Sequence, residues 1–553
     1  MKNLSILFAV GLALFLTGAV SAMADTAPYG KVIDLSESNI LIEYKSIGKI
    51  EQFLCALNTL ACEKTEAPAF DEEEAEKMKD EAREIFRRKI SSLGGTFIKI
   101  SPQNNFAAYY ISARNSNKYT RTFAVYNNTN GKISKKTGKI AYWDLLSEHP
   151  QLFSWSPDEK KVLYIDDIDG PATLYEINLP ISGTKIASKR LFSKSYNVGT
   201  FTFWDNENIF FTANRDDAEI WSLYKYNLKT KKIDMVAPDV AWNRGLYKFG
   251  QYLVYVKINP SSLDPELYNP DTNEYKKFAI TKVESQNIDK SFYSTDKFGR
   301  SYGVLMKPEK SNDSKTLLIW LHGGPYRTVG NIHHIYQSYS GYDFILENIR
   351  KSGVTVLKLD YAGSFGQGRV FSESVKLGVG TRDVADVKEA LTSISKKEKF
   401  ENVYLAGNSY GGYLALRAMV AYPKSFAGAV SINGVTDWQS LLLRIRTSIF
   451  NLHFNGLPNS KNKNLYANAS IISRISRLTP ANKILIIGGE KDKTISPSQS
   501  IDFHNLLTAQ NKNSTLVTYP DEDHIFTKKE SITGICKQML AFLSRPENTG
   551  CEL

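Results

Sequence analysis

Two hydrophobic rhythms divide this chain. From about residue 30 to 285, short apolar runs alternate with polar turns. One recurring piece is a turn that feeds an apolar strand, as in Ser101-Pro102-Gln103-Asn104-Asn105-Phe106 and Ser156-Pro157-Asp158-Glu159-Lys160-Lys161-Val162. Weaker copies begin at Trp204 and Phe249. A second piece is a strand with Tyr and Asn, as in Leu174-Tyr175-Glu176-Ile177-Asn178 and Leu223-Tyr224-Lys225-Tyr226-Asn227. Successive turns lie about 45–55 residues apart, the size of a propeller blade. Four or five blades are expected, with residues 33–44 as an earlier, degenerate one. One charged stretch, residues 71–93, breaks the pattern with helical spacing that puts Met78, Ala82, Ile85 and Phe86 on one side. Its acidic start suits a helix N-terminus.

From about residue 291 the rhythm becomes strand, helix, strand. Apolar runs at 317–321, 354–359, 403–406, 429–432, 484–487 and 515–519 alternate with helical stretches such as 383–395, 413–422 and 498–510. Only Lys358 interrupts the second run. This predicts a mostly parallel, doubly wound sheet covered on both faces, with its ligand site at the carboxyl ends of the strands. The expected domains are therefore a β-propeller-like all-β domain over 25–290, with a helical insertion near 71–93, and an α/β domain over 291–553.

The first 24 residues read as a signal peptide: Lys2, a short apolar run from Ile6 to Leu16, and the small-x-small site Ala22-Met23-Ala24. A mature chain starting near Asp25, secreted or periplasmic and without stable membrane insertion, is the expectation. The net charge of +11 is spread along the chain. No block of like charge suggests a nucleic-acid arm. Cys55, Cys62, Cys536 and Cys551 allow three pairings; sequence proximity favours Cys55–Cys62 and Cys536–Cys551. Their spacing is not that of a zinc site, and neither metal nor cofactor is expected. Nothing in the sequence bears on oligomeric state.

The chemistry concentrates around Gly407-Asn408-Ser409-Tyr410-Gly411-Gly412-Tyr413. A Gly-x-Ser-x-Gly between a strand and a helix is a nucleophile elbow, with the serine strained and exposed. The following helix points its dipole at the serine. A serine hydroxyl needs a base held by an acid, in the chain order Ser, acid, His. His524, in the loop Pro520-Asp521-Glu522-Asp523-His524 beyond a strand end, is the expected base. His504 lies inside a helix, and no acid loop separates His453 from Ser409. Asp492, in Gly488-Gly489-Glu490-Lys491-Asp492, is the expected acid, with Glu490 as a rival and Asp521 and Asp523 as loop-shaping residues. The amide of Tyr410 is one expected oxyanion donor, and the loop His322-Gly323-Gly324-Pro325 fits the second. His322 is read as structural.

These motifs resemble the prolyl oligopeptidase family of serine peptidases. The elbow, His322-Gly323-Gly324-Pro325, Asp492 and Tyr519-Pro520-Asp521-Glu522-Asp523-His524 carry the likeness. Asp360-Tyr361-Ala362-Gly363-Ser364-Phe365-Gly366 and the positions Gly380, Asp383 and Asp386 add to it. The likeness is close over about 291–545 and only rhythmic before that. It implies a propeller capping an α/β-hydrolase and admitting short or flexible peptides. It points to the acylaminoacyl-peptidase and oligopeptidase branch, with the Gly324 amide as second oxyanion donor. It puts Val435 and Trp438 in the S1 pocket, and Leu441 and Arg444 near the place of the tyrosines of proline-specific members, which favours an apolar P1 residue. The alternatives are a dipeptidyl peptidase using Glu72–Glu74 to hold an amino terminus, an esterase on the same triad, and a propeller-based binding protein with an inactive hydrolase.

Overall fold

The computed structural model describes residues 29–545 and Cys551, except 36–38, 47–48, 57–58, 66–80, 94, 116–117, 137–151, 167–170, 193–195, 218–219, 243–244, 260–261, 279–288, 310–314, 331–338, 446–449 and 451–452 within that span, and 546–550 after it. The expected leader over 1–24 and the acidic run Glu72–Glu74 lie outside the described residues.

Five four-stranded antiparallel units occupy residues 29–65, 95–135, 153–190, 198–237 and 247–277. The N-terminal unit has four strands of its own and meets the fifth through the parallel pair Tyr29 and Leu263. Both recurring sequence pieces close turns with side chains. Ser101 Oγ accepts the Phe106 amide at 3.0 Å, and Ser156 Oγ accepts the Lys161 amide at 2.9 Å. The Asn that ends a strand does the same: Asn127 Oδ1 accepts the Thr129 amide at 2.9 Å, and Asn227 Oδ1 the Lys229 amide at 3.0 Å. Short polar side chains replace backbone partners in such turns, which is why the motif recurs at each hairpin.

The inserted helix is described over Glu81–Ser92. Its buried side is Phe86 with Ile90, an i, i+4 pair. Ile85, expected beside Phe86, is instead 60% exposed, because adjacent helical positions point about 100° apart.

The second domain is one eight-stranded sheet. Its strands are β1 (Tyr293–Phe298), β2 (Ser301–Met306), β3 (Thr316–Leu321), β4 (Thr355–Asp360), β5 (Asn402–Asn408), β6 (Gly428–Ile432), β7 (Lys483–Gly489) and β8 (Ser514–Tyr519). The spatial order is β1-β2-β4-β3-β5-β6-β7-β8. Only β2 runs against the rest: it pairs antiparallel with both β1 and β4, and every pair from β4–β3 to β7–β8 is parallel. Alternation along β3 serves both faces: Leu317, Ile319 and Leu321 enter one apolar core, Leu318 and Trp320 the other. Helices α1 (Ser340–Lys351) and α5 (Lys529–Phe542) supply the face with Trp320. Helices α2 (Arg382–Ile394), α3 (Tyr410–Ala421) and α4 (Pro497–Ala509) supply the other. Lys358, the polar break in β4, is buried and stands 3.7 Å from Asp343 on α1.

The two domains meet at the loop that follows β4. Phe365 stacks on Trp242 at 5.1 Å between centroids. Asn197 and Asn214 of the fourth propeller unit donate to the Gly366 carbonyl, the latter at 3.4 Å. Among the described residues, no helix is long and apolar enough to cross a membrane.

Both cysteine pairs form disulfides, Cys55–Cys62 and Cys536–Cys551. The second ties α5 to the C-terminal tail across 15 residues. Closing a loop of that size stabilises by about 3 kcal/mol, mainly through the unfolded chain. We predict that Cys536→Ser with Cys551→Ser lowers the unfolding free energy of the second domain by roughly that amount in urea titration. An unchanged midpoint would contradict it.

Candidate active site

The site is built where β5 passes into α3. Ser409 sits at the junction with φ 55° and ψ −120°. That strained backbone is affordable only where the surroundings over-determine it. The crossing is too tight for side chains. A Cβ built on Gly411 would stand 1.9 Å from the Leu321 carbonyl oxygen. The Ser409 amide itself donates to the Ile432 carbonyl at 2.8 Å, so β6 also fixes the turn.

Three loops at the carboxyl ends of the strands bring their side chains together. His524 Nε2 lies 2.9 Å from Ser409 Oγ. His524 Nδ1 lies 2.8 Å from Asp492 Oδ2. Asp492 is buried, and its other oxygen accepts the amides of Thr494 and Ile495, each at 2.7 Å. These contacts hold the carboxylate still, so it can orient the imidazole. An imidazole so held can take the proton of the serine hydroxyl and carry the resulting charge beside a carboxylate.

The rival residues are engaged elsewhere. Glu490 Oε1 accepts the Thr518 hydroxyl at 2.7 Å. Asp521 faces Lys491 at 2.7 Å and Lys528 at 3.2 Å, and these cations hold its carboxyl below the ordinary value. Asp523 Oδ1 accepts the amides of His524 and Lys493, at 2.7 and 2.9 Å. His504 is hydrogen-bonded to Ser514 at 2.9 Å, and His453 is buried against the Tyr326 hydroxyl at 2.5 Å.

His322 is fully buried, with Nε2 2.8 Å from Ser364 Oγ and 3.2 Å from Asp360 Oδ1. It pins the loop His322-Gly323-Gly324-Pro325 to the loop after β4. Gly323 borders the serine, since a Cβ there would stand 3.2 Å from Ser409 Cβ and 3.2 Å from the Asn408 carbonyl. The Gly323 backbone therefore borders Ser409, as does the first turn of α3, which the Tyr410 amide leads.

Val435 and Trp438 are both buried. Trp438 packs at 5.8 Å from Tyr410, 5.3 Å from Tyr413 and 5.0 Å from Phe450. The cluster includes Tyr410, the residue after Ser409. Only the half-buried Phe450 carries the cluster toward solvent. Among the described residues, no group of three His, Cys, Asp or Glu side chains is placed to hold a metal ion.

Three positioning residues were not assigned from sequence. Asn433, after β6, accepts the Gly489 amide at 2.9 Å and donates to the His524 carbonyl at 2.9 Å. It thereby clamps the acid loop to the histidine loop. Its signal was an Asn-Gly directly after an apolar strand, a place for the left-handed φ of 47° it adopts. Asp383 accepts the Tyr410 hydroxyl at 2.6 Å, and burial pushes its carboxyl up despite that bond. Asp386 accepts the Ala362 amide at 2.8 Å and faces Arg382 at 2.8 Å. Gly380, Asp383 and Asp386 stood out in the sequence, but only the packing of α2 under the site shows what they hold.

The architecture is that of a propeller followed by an α/β-hydrolase. Over nearly the whole chain it matches the structure of a Mycobacterium tuberculosis puromycin-hydrolyzing peptidase, with a TM-score of 0.67, 17% identity, and coverage of 93% of this chain and 77% of that one. It also matches the Pyrococcus horikoshii acylaminoacyl peptidase, with a TM-score of 0.56, 13% identity, and coverage of 95% and 98%. Residues 340–548 match the family described as the prolyl oligopeptidase family, so the chain carries a domain of that family. In sequence, the mouse acylamino-acid-releasing enzyme is 24% identical over 238 residues, 41% of this chain and 31% of that protein. The pig dipeptidyl peptidase 4 is 26% identical over 304 residues, 54% and 38%. The aligned region thus spans about a third of each of these relatives.

Burial raises the Asp386 carboxyl to about 6, against the Ala362 amide and Arg300 that favour its charge. The ordinary value is 3.8, so folding takes up a proton between about pH 4 and 6. Its contribution favours the folded state at the low end of that window and is lost as pH rises through 6. We predict that Asp386→Asn removes a stability change of up to about 3 kcal/mol between pH 4 and 6. Identical pH profiles for the two proteins would contradict this.

Proposed function

We propose that this protein is a secreted serine peptidase that hydrolyses short peptides through an acyl-enzyme, of the acylaminoacyl-peptidase or oligopeptidase type. The observation that carries the reading is the hydrogen-bonded chain Ser409–His524–Asp492 at the carboxyl ends of the strands. Ser409 Oγ attacks the scissile carbonyl carbon while His524 Nε2 takes the hydroxyl proton. Asp492 fixes the imidazole tautomer and offsets its charge. The amides of Tyr410 and Gly324 receive the negative charge that builds on the carbonyl oxygen. The protonated His524 then gives its proton to the leaving amine, and a water activated by the same imidazole releases the acyl group.

The substrate side rests on the surroundings of the site and on the family. The Val435, Trp438 and Phe450 surroundings are apolar, which suits an apolar P1 side chain. The propeller contacts the loop after β4 beside the site, which favours short or flexible peptides over folded chains. The family of residues 340–548 supports peptides over esters.

The test compares the full-length protein with Ser409→Ala and Asp492→Asn on acylated, free-amino and internally quenched peptides, and on simple esters. Ser409→Ala should lose on the order of 10⁶ in kcat and Asp492→Asn on the order of 10⁴. Retained turnover in Ser409→Ala would remove the nucleophile assignment. Ester hydrolysis without peptide cleavage would remove the peptidase reading. Preference for a blocked amino terminus supports the acylaminoacyl type; preference for a free one favours a dipeptidyl peptidase.

Location outside the cytoplasm is supported by the two disulfides, which persist in oxidising compartments. It predicts an exported product whose amino-terminal sequence begins near Asp25. A cytoplasmic product that retains Met1 would overturn it.

A further inference from the structure

A cavity of 410 Å³ opens between the third and fourth propeller units, away from Ser409. Four of its lining residues are cations: Lys189, Arg190, Arg215 and Lys231. Phe192 and Tyr226 form part of its apolar floor, in edge-to-face contact at 5.0 Å. No carboxylate lines it among the described residues. Two carboxylates border it. Asp216 stands 3.8 Å from Arg215, with both side chains exposed, and Glu176 is engaged by Lys161 at 2.9 Å. Four cations against these two carboxylates leave a net positive charge. The groove therefore concentrates positive potential over an apolar base.

Two of the cations lie over successive same-face tyrosines of one strand. Tyr224 and Tyr226 alternate on the strand Ser222–Asn227 and so share a face. Arg215 lies over Tyr224, 5.7 Å from its centroid, and Lys231 lies 5.9 Å from the centroid of Tyr226. Alternate side chains on a strand repeat at about 7 Å, and those of a bound extended peptide repeat at the same interval. A compact anion such as phosphate needs donors converging on one point. Arg215 and Lys231, over tyrosines at that interval, instead match acidic side chains at alternate positions of a peptide.

Two lining residues are also chain neighbours of the contact between the domains. Tyr196, another lining residue, precedes Asn197, and Arg215 follows Asn214. Both asparagines donate to the Gly366 carbonyl, in the loop whose Ser364 touches His322. We infer that this inter-blade groove is an exosite for the acidic stretch of an extended peptide substrate. As a substrate site it rests on the peptidase reading above; as a peptide-binding site it does not.

The test uses full-length Ser409→Ala and two fluorescein-labelled peptides that differ only in carrying Glu-x-Glu or Gln-x-Gln. Two partly solvated ion pairs predict about five-fold tighter binding of the acidic peptide in fluorescence anisotropy, with the difference shrinking in about 0.5 M salt. Arg215→Glu with Lys231→Glu should abolish or reverse the preference. Arg215→Gln with Lys231→Gln should level it, and serves if charge reversal impairs folding. In the active enzyme the KM ratio of the two peptides should shift likewise, and a ratio within each protein cancels any general loss of activity. Equal binding of the two peptides, or a preference that survives both double variants, would overturn the exosite. So would competition by inorganic pyrophosphate without any acidic-peptide advantage. Charge-selective binding with no cleavage by the active enzyme would sink the peptidase reading and leave the groove standing. Cleavage without charge preference would sink the groove alone.

Discussion

The backbone of Ser409 is held where a serine would not otherwise stay. A φ of 55° with ψ −120° is costly for any residue with a Cβ. What sustains it is the crossing of α3 over β3 and β5, close enough that Gly411 meets the Leu321 carbonyl with no room for a methyl group. That crossing in turn depends on a sheet buried on both faces, with β3 feeding alternate side chains into two cores. If the helix stood further off, the turn would relax into an ordinary conformation and the hydroxyl would leave the imidazole.

The rest of the site is fastened to this crossing by hydrogen bonds from buried polar groups. Asp383 holds the ring of Tyr410, and Asn433 joins the loop of Asp492 to the loop of His524. His322, Ser364 and Asp360 join the glycine loop to the loop after β4. The same loop reaches the propeller through Phe365 and Gly366. The propeller thus touches the same loop that braces the backbone bordering the serine.

Much of this was legible in the residues. Turn chemistry is local, so Ser-Pro and Tyr-x-x-Asn marked the hairpins of the first domain. The apolar runs of β3 to β8 stand out because a strand buried on both faces is apolar throughout. The hairpin β1–β2 was missed for the converse reason. As an edge with half-exposed faces, Tyr293–Phe298 reads as Tyr-Ser-Thr-Asp-Lys-Phe and carries no apolar run. The helix face near Ile85 was misjudged because a short, charged helix offers few apolar positions to define its phase.

The sequence by itself determined the kinds of element, their order, and the order of serine, acid and histidine along the chain. These follow from periodicity and from what a tight turn demands of its own residues. Only the tertiary structure decided that Asp492 rather than Glu490 meets His524, that Asp383, Asp386 and Asn433 brace the site, and that four cations from two propeller units share one groove. Each of these is a contact between residues distant in the chain. Their distances depend on how sheets and helices pack, and no local pattern encodes that.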